Sequence, residues 1–144
     1  MIYGIGTDIL QINRIEAALE RHGERFAAKI LGPQELAKFR ARREKVEARG
    51  IRFLATRFAA KEACSKALGT GLSFGVYWRD MGVVNLPSGK PTMKLTNGAL
   101  RALERLVPPG HEPHIHITIT DDAGLAQAFV VIEALPVDPS RASV

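Results

Sequence analysis

The sequence predicts an α+β fold: a small antiparallel sheet packed with helices. Two observations carry this. Strand-like runs come in pairs joined by short turn signals, Pro87-Ser88-Gly89-Lys90 and Asp121-Asp122-Ala123-Gly124, so strands pair as hairpins instead of through regular helical crossovers. The clearest helical pattern, RFLATRFAAKEACSKALG from Arg52 to Gly69, is rich in alanine and closes at a glycine. The predicted order is one strand, three helices, two strands, one helix and two strands. A chain of 144 residues, 46% hydrophobic and 24% charged, has the composition of one globular domain. Residues 1–135 are read as that domain and 136–144, PVDPSRASV, as a flexible tail.

Residues 2–7, IYGIGT, read as a strand whose glycines allow close backbone approach, with Asp8 at its end. Asn13 is placed to cap a helix over Arg14–His22, with Glu16 completing a capping box and Gly23 stopping it. Gly32-Pro33 breaks the next segment. A second helix is expected from Gln34 to about Ala48, very basic at its end and closing near Gly50. After the Arg52–Gly69 helix comes a turn-rich stretch, GTGLSFG. Strands follow at Asp80–Leu86 and Pro91–Leu95, then a helix at Asn97–Leu106 that stops before Pro108-Pro109-Gly110. The last two strands are His114–Thr120 and Ala126–Leu135.

The net charge of +5, from 20 basic and 15 acidic residues, points to an anionic partner. Aromatics are only 6%, and no basic stretch is interleaved with stacking rings, which argues against a single-stranded nucleic-acid binder. No apolar run reaches the ~18 residues of a membrane span. The first residues lack the pattern of a secretory signal. The one cysteine, Cys64, cannot form an internal disulfide, which suits a reducing cytoplasm.

On a helical wheel at ~100° per residue, Arg57, Lys61 and Ser65 form one stripe and Glu62 and Lys66 the next. Ala59, Ala60, Ala63, Cys64 and Ala67 fill the other side. The bland reading is a solvated face laced by an i,i+4 Glu62–Lys66 pair. The functional one is a carboxylate for a metal among cations for phosphates, as phosphoryl transfer requires. Asp8, following Gly-x-Gly, is equally a turn residue or a ligand. GIGTDI lacks the third glycine of a dinucleotide fingerprint, and GTGLSFG lacks the lysine of a P-loop. His114 and His116 share a strand face, and Arg14 and Arg21 a helix face.

GIGTDILQINRI and RFAAKEACSKALGTG resemble the two signature motifs of the holo-[acyl-carrier-protein] synthase family, the small 4'-phosphopantetheinyl transferases. PSGKP is similar to the family's Gly-x-Pro hairpin, and HITIT to its last strand motif. The resemblance implies the phosphopantetheinyl transferase fold, homotrimers with sites between subunits, and transfer of the 4'-phosphopantetheine of coenzyme A to a serine of apo acyl carrier protein. It implies magnesium on Asp8 and Glu62. Arg57 and Lys61 would hold coenzyme A phosphates, and Lys66 would stand near the pyrophosphate, so that Glu62 and Lys66 act catalytically. Gly89 and Pro91 would flank the adenine, with Lys90 as a further cation, and His116 would stand near the nucleotide phosphates. Arg14 and Arg21 would dock the carrier protein. The resemblance further implies that Asp8 of one subunit meets the Glu62 helix of another, and it leaves the base open between Glu62 and a water at the metal. Asp121 stands where the family often has a histidine, so no role transfers there. The rival class is a nucleic-acid module gripping through Arg40, Arg42, Arg43 and Arg49.

Overall fold

The computed structural model describes residues 1–138, so the end of the predicted tail, 139–144, lies outside the described residues. The elements in chain order are β1 (Ile2–Gln11), α1 (Ile12–His22), α2 (Glu24–Ile30), α3 (Pro33–Lys45) and α4 (Glu47–Leu68). A 3-10 turn (Trp78–Asp80), β2 (Met81–Asn85), β3 (Pro91–Leu95), α5 (Asn97–Leu106), β4 (His111–Asp122) and β5 (Leu125–Pro136) follow. The fold is α+β as expected, but its strands form two antiparallel sheets, β1-β5-β4 and β2-β3. Thr92 Oγ1 donates to the Ile115 carbonyl at 2.9 Å, tying the second sheet to β4 of the first.

The helix α4 is the centre of the molecule. Its alanine face, Ala59, Ala63 and Ala67, is buried and lies on β1. Two glycines make the approach possible. A Cβ at Gly4 would stand 2.0 Å from the Ala67 carbonyl oxygen, and one at Gly6 would stand 1.9 Å from that of Ala63. Strand and helix backbones therefore touch directly, with no side chain between them. The inward row of β5, Ala126, Ala128, Val130, Ile132 and Ala134, is buried as well. The opposite flank of α4 is covered too, by α3 and β2. Fourteen of its 22 residues are buried, so it is enclosed nearly all round, where the sequence suggests one packed and one solvated side.

Several boundaries differ from expectation, each for a tertiary reason. The strand β1 continues through Asp8 to Gln11 because β5 pairs with it as far as Leu125. The helix α1 then starts at once. Its Ile12 N–H donates to the Gly124 carbonyl at 2.9 Å, and neither Asn13 nor another side chain caps it. The helix α2 carries no clear periodicity, yet Ala27 and Ile30 are buried. The basic helix breaks at Val46, in an extended conformation, and not at Gly50. Gly50 lies inside α4, where a Cβ would stand 2.5 Å from that of Arg43. The strand β5 runs through Pro136, and Val137 N–H donates to the Gly110 carbonyl at 2.9 Å.

The face of the β1-β5-β4 sheet turned away from α4 carries exposed apolar side chains, with Ile5 57%, Ile9 60% and Phe129 42% exposed. Among the described residues no helix is long and apolar enough to cross a membrane.

Gly6→Ala would force a methyl group into the Ala63 carbonyl. Overpacking of this kind costs about 1–3 kcal/mol when neighbours can move. Two apposed backbones move little, so the upper end is expected in urea unfolding. A loss under about 0.5 kcal/mol, the range of an ordinary surface change, would show that the contact is not tight.

Candidate active site

The close approach of β1 sets the site. Side chains alternate along a strand, so Asp8 points to the same side as Gly4 and Gly6, toward α4. There Lys66 Nζ donates to the Thr7 carbonyl at 2.9 Å and lies 3.3 Å from Asp8 Oδ1. Glu62 is one turn before Lys66, roughly 5–6 Å away between Cβ atoms. Its Oε1 accepts from the indole Nε1 of Trp78 at 3.1 Å. Among the described residues the Glu62–Lys66 ion pair of the bland reading is not formed, because each side chain has a tertiary partner. Asp8 Oδ2 and Glu62 Oε2 accept no hydrogen bond among the described residues. Asp8 thus meets the Glu62 helix within one protomer, contrary to the expectation that two subunits would supply them.

Lys61 is the clearest correction. The wheel places it on a polar stripe facing phosphates, but its side chain is fully buried. Its Nζ donates to Glu35 Oε1 at 2.6 Å, to the Ile30 carbonyl at 2.8 Å and to the Trp78 carbonyl at 3.0 Å. An ammonium has three donors, and all are used by the fold. Burial pulls this ammonium below its ordinary pKa, while the charge and hydrogen bond of Glu35 oppose the shift. Glu35 Oε2 accepts from Val83 N–H at 3.2 Å and Oε1 from Gly32 N–H at 3.2 Å, so both of its oxygens are engaged. Cys64 is packed beside this region, and burial pushes its thiol up to about 12, which removes it as a nucleophile.

Arg57 does face an opening. It lines a cavity of about 550 Å3 with Arg42, Arg49, Arg52, Pro91 and Asp121. Two guanidiniums lie over the Phe53 ring, with Arg57 Cζ 4.5 Å and Arg42 Cζ 4.7 Å from its centre. Burial lowers the Arg57 pKa, Glu35 opposes the shift and Arg42 adds to it. Its Nε is buried without a partner among the described residues, an unmet donor of the kind an anion satisfies. Asp121 lies 3.4 Å from Arg52, as a counter-ion. Elsewhere in the arginine-rich stretch Arg40 pairs with Glu24, and Arg43 with Glu47 at 3.0 Å, which blunts the nucleic-acid reading.

The other predicted residues are more scattered. Gly89, at φ +89°, and Lys90 form the exposed β2–β3 turn, and Pro91 brings β3 to the Arg57 cavity. His116 pairs across β5 with Val131, and its Nε2 is 3.1 Å from Glu133. Its neighbour Ile117 is buried, so His116 lies on the open sheet face, away from Asp8. Arg14 and Arg21 are exposed on α1, and neither makes an ion pair among the described residues. Glu35 and Trp78 escape sequence reading. Glu35 looks like one more carboxylate at a helix start, and Trp78 sits in a turn with no periodicity.

The chain matches the 4'-phosphopantetheinyl transferase superfamily over residues 4–120. It belongs to that superfamily. A holo-[acyl-carrier-protein] synthase of Mesorhizobium japonicum is 63% identical over 138 residues, 96% of this chain and 97% of that protein. The crystal structure of the synthase from Neisseria meningitidis superposes with a TM-score of 0.77 at 37% identity, covering 92% of this chain and 99% of that one. The Helicobacter pylori synthase, solved in complex with coenzyme A, gives 0.70 at 29% identity, covering 90% and 99%. The transferase superfamily therefore supplies the frame on which the Asp8, Glu62 and Lys66 cluster is read.

Removing one member of the buried Glu35–Lys61 pair leaves the other uncompensated, which costs about 3–5 kcal/mol. Lys61→Met should lose that much in chemical unfolding. The double variant with Glu35→Leu should recover most of it, and equal losses in both would show that the pair is not the source.

Proposed function

We propose that this protein transfers the 4'-phosphopantetheine group of coenzyme A to a serine of apo acyl carrier protein, leaving adenosine 3',5'-bisphosphate. The observation that carries the reading is the cluster in one protomer: Asp8 held by Lys66 one turn from Glu62, on the helix that also presents Arg57. The near-identical extent of the Mesorhizobium japonicum synthase and the coenzyme A complex of the Helicobacter pylori one support it.

Asp8 and Glu62 fit magnesium. Each keeps a carboxylate oxygen without a hydrogen bond, and no group of three or more metal-type side chains exists among the described residues. Magnesium favours such sites, with one or two carboxylates and the rest of its shell from water and phosphate. When bound, the ion would supply positive charge to the pyrophosphate oxygens. Lys66, half exposed, adds a cation to the same place. The serine oxygen forms a bond to the β-phosphorus as the bond to the bridging oxygen breaks, and the bridging oxygen leaves with the adenosine bisphosphate. Charge spreads over the non-bridging oxygens, where a fixed ammonium lowers the barrier. Glu62 would take the serine proton, with a water as the alternative acceptor. Arg57, with its unmet Nε, would take the 3'-phosphate, with Pro91 at the rim beside the adenine and Gly89 and Lys90 in the turn behind it.

The exposed Arg14 and Arg21 follow directly on β1 and would steer an acidic carrier-protein helix to the site. The open sheet face, Ile5, Ile9 and Phe129, would be covered by further copies in a homotrimer. His116 shares that face, so a neighbouring copy could carry it to a nucleotide that its own protomer's Asp8 does not reach.

The test is incubation with coenzyme A, magnesium and an apo acyl carrier protein, read by intact mass. A gain of one phosphopantetheine is expected, abolished by EDTA, and Asp8→Ala should slow it by ~100-fold or more. No mass gain would overturn the transfer reading, and full activity in EDTA would overturn the role given to the metal.

A further inference from the structure

Trp78 is the one tryptophan of the chain, and α4 holds it at three points. Its ring centre is 5.7 Å from that of Phe58. Its carbonyl accepts from Lys61 at 3.0 Å, and its indole N–H donates to Glu62 Oε1 at 3.1 Å. Phe58, Lys61 and Glu62 span just over one turn of α4. The grip on the carbonyl is itself anchored, since Lys61 is fixed by Glu35 and the end of α2, and Glu35 by the amide of Val83 in β2.

We propose that Trp78 is a positioning residue for Glu62: its indole N–H occupies Oε1 and turns Oε2 toward Asp8 and the metal, while the Glu35–Lys61 pair keeps the indole in register. This deepens the transfer reading and rests on it. A carboxylate on a surface helix turn samples several rotamers. One bonded to an indole that packs on Phe58 and whose backbone is held by Lys61 does not, and the ordering entropy is removed before the ion arrives. Partners that orient metal ligands in this way change metal affinity by about 10- to 100-fold when removed. The same contact gives the site an internal reporter. Charge arriving at Glu62 changes the field at the indole, so emission from the single tryptophan should follow metal binding without any turnover.

Two measurements test this. Emission of the wild-type protein is followed as magnesium is added in the presence of coenzyme A and absence of carrier protein, beside calorimetry of the same titration. A saturable change with the calorimetric midpoint is expected, and Glu62→Gln should lose it. Trp78→Phe keeps an aromatic ring beside Phe58 and the carbonyl for Lys61, and removes the N–H together with part of the fused ring. Its magnesium midpoint, by calorimetry and by half-maximal turnover, should rise about 10-fold with an unfolding midpoint close to wild type. Wild-type emission that stays constant through the calorimetric transition overturns the proposal, as does a folded Trp78→Phe with a midpoint within about twofold of wild type. If that variant does not fold, the wild-type emission decides. A wild type that shows no transfer overturns the transfer reading and this inference with it, and one that transfers fully without magnesium overturns the metal role on which the inference stands. A wild type that needs magnesium, with Trp78→Phe unaltered, overturns the positioning role alone.

Discussion

The contact between the backbone of β1 at Gly4 and Gly6 and the carbonyls of Ala67 and Ala63 is the constraint on which the rest depends. It fixes the height of the strand above the helix and its register along it. From Gly4 to Gly6 the strand steps back one turn of α4, and the next inward residue is Asp8. A side chain at either glycine would lift the strand and carry Asp8 away from Lys66. The antiparallel partner β5 holds the same register from the other edge, with the small Ala128 opposite Asp8.

The second flank of α4 is held by different physics. On the sheet side the contact is apolar and tight. On the far side a buried ion pair, Glu35–Lys61, gathers the end of α2, the start of α3, the Trp78 turn and β2. Such a pair adds little net stability compared with apolar packing, because both charges lose their water. It does fix directions, since all three ammonium protons of Lys61 and both oxygens of Glu35 have partners. Glu62 and Lys66 lie where the two flanks meet. The sheet side gives Lys66 its partner Asp8, and the polar side gives Glu62 its partner Trp78. The Asp8, Glu62 and Lys66 cluster is thus a seam between two ways of packing one helix.

Much of this was legible in the sequence. Gly-x-Gly before Asp8 spoke of a close strand, the alanines of a helix that sits tightly, and the two motifs together of a phosphopantetheinyl transferase. The paired turn signals placed both hairpins. What was not legible had common causes. A helical wheel gives the direction of Lys61 about the axis, but not that α3 closes over it. Asn13 has the chemistry of a cap, but pairing with β5 carries the strand past it. Val46 has no breaker chemistry, yet the chain turns there because α3 and α4 pack closely at Gly50. Trp78 becomes informative only once the fold brings a turn residue onto α4.

The central claim is that Asp8 and Glu62 of the same protomer form one site. Mixing Asp8→Ala and Glu62→Ala protomers, unfolded and refolded together, tests it directly by turnover with coenzyme A and apo carrier protein. If both carboxylates come from one chain, every site in the mixture lacks one of them, and activity stays at the level of the separate variants. If neighbouring subunits supply them, some sites regain both, and turnover recovered well above either variant alone would contradict the account.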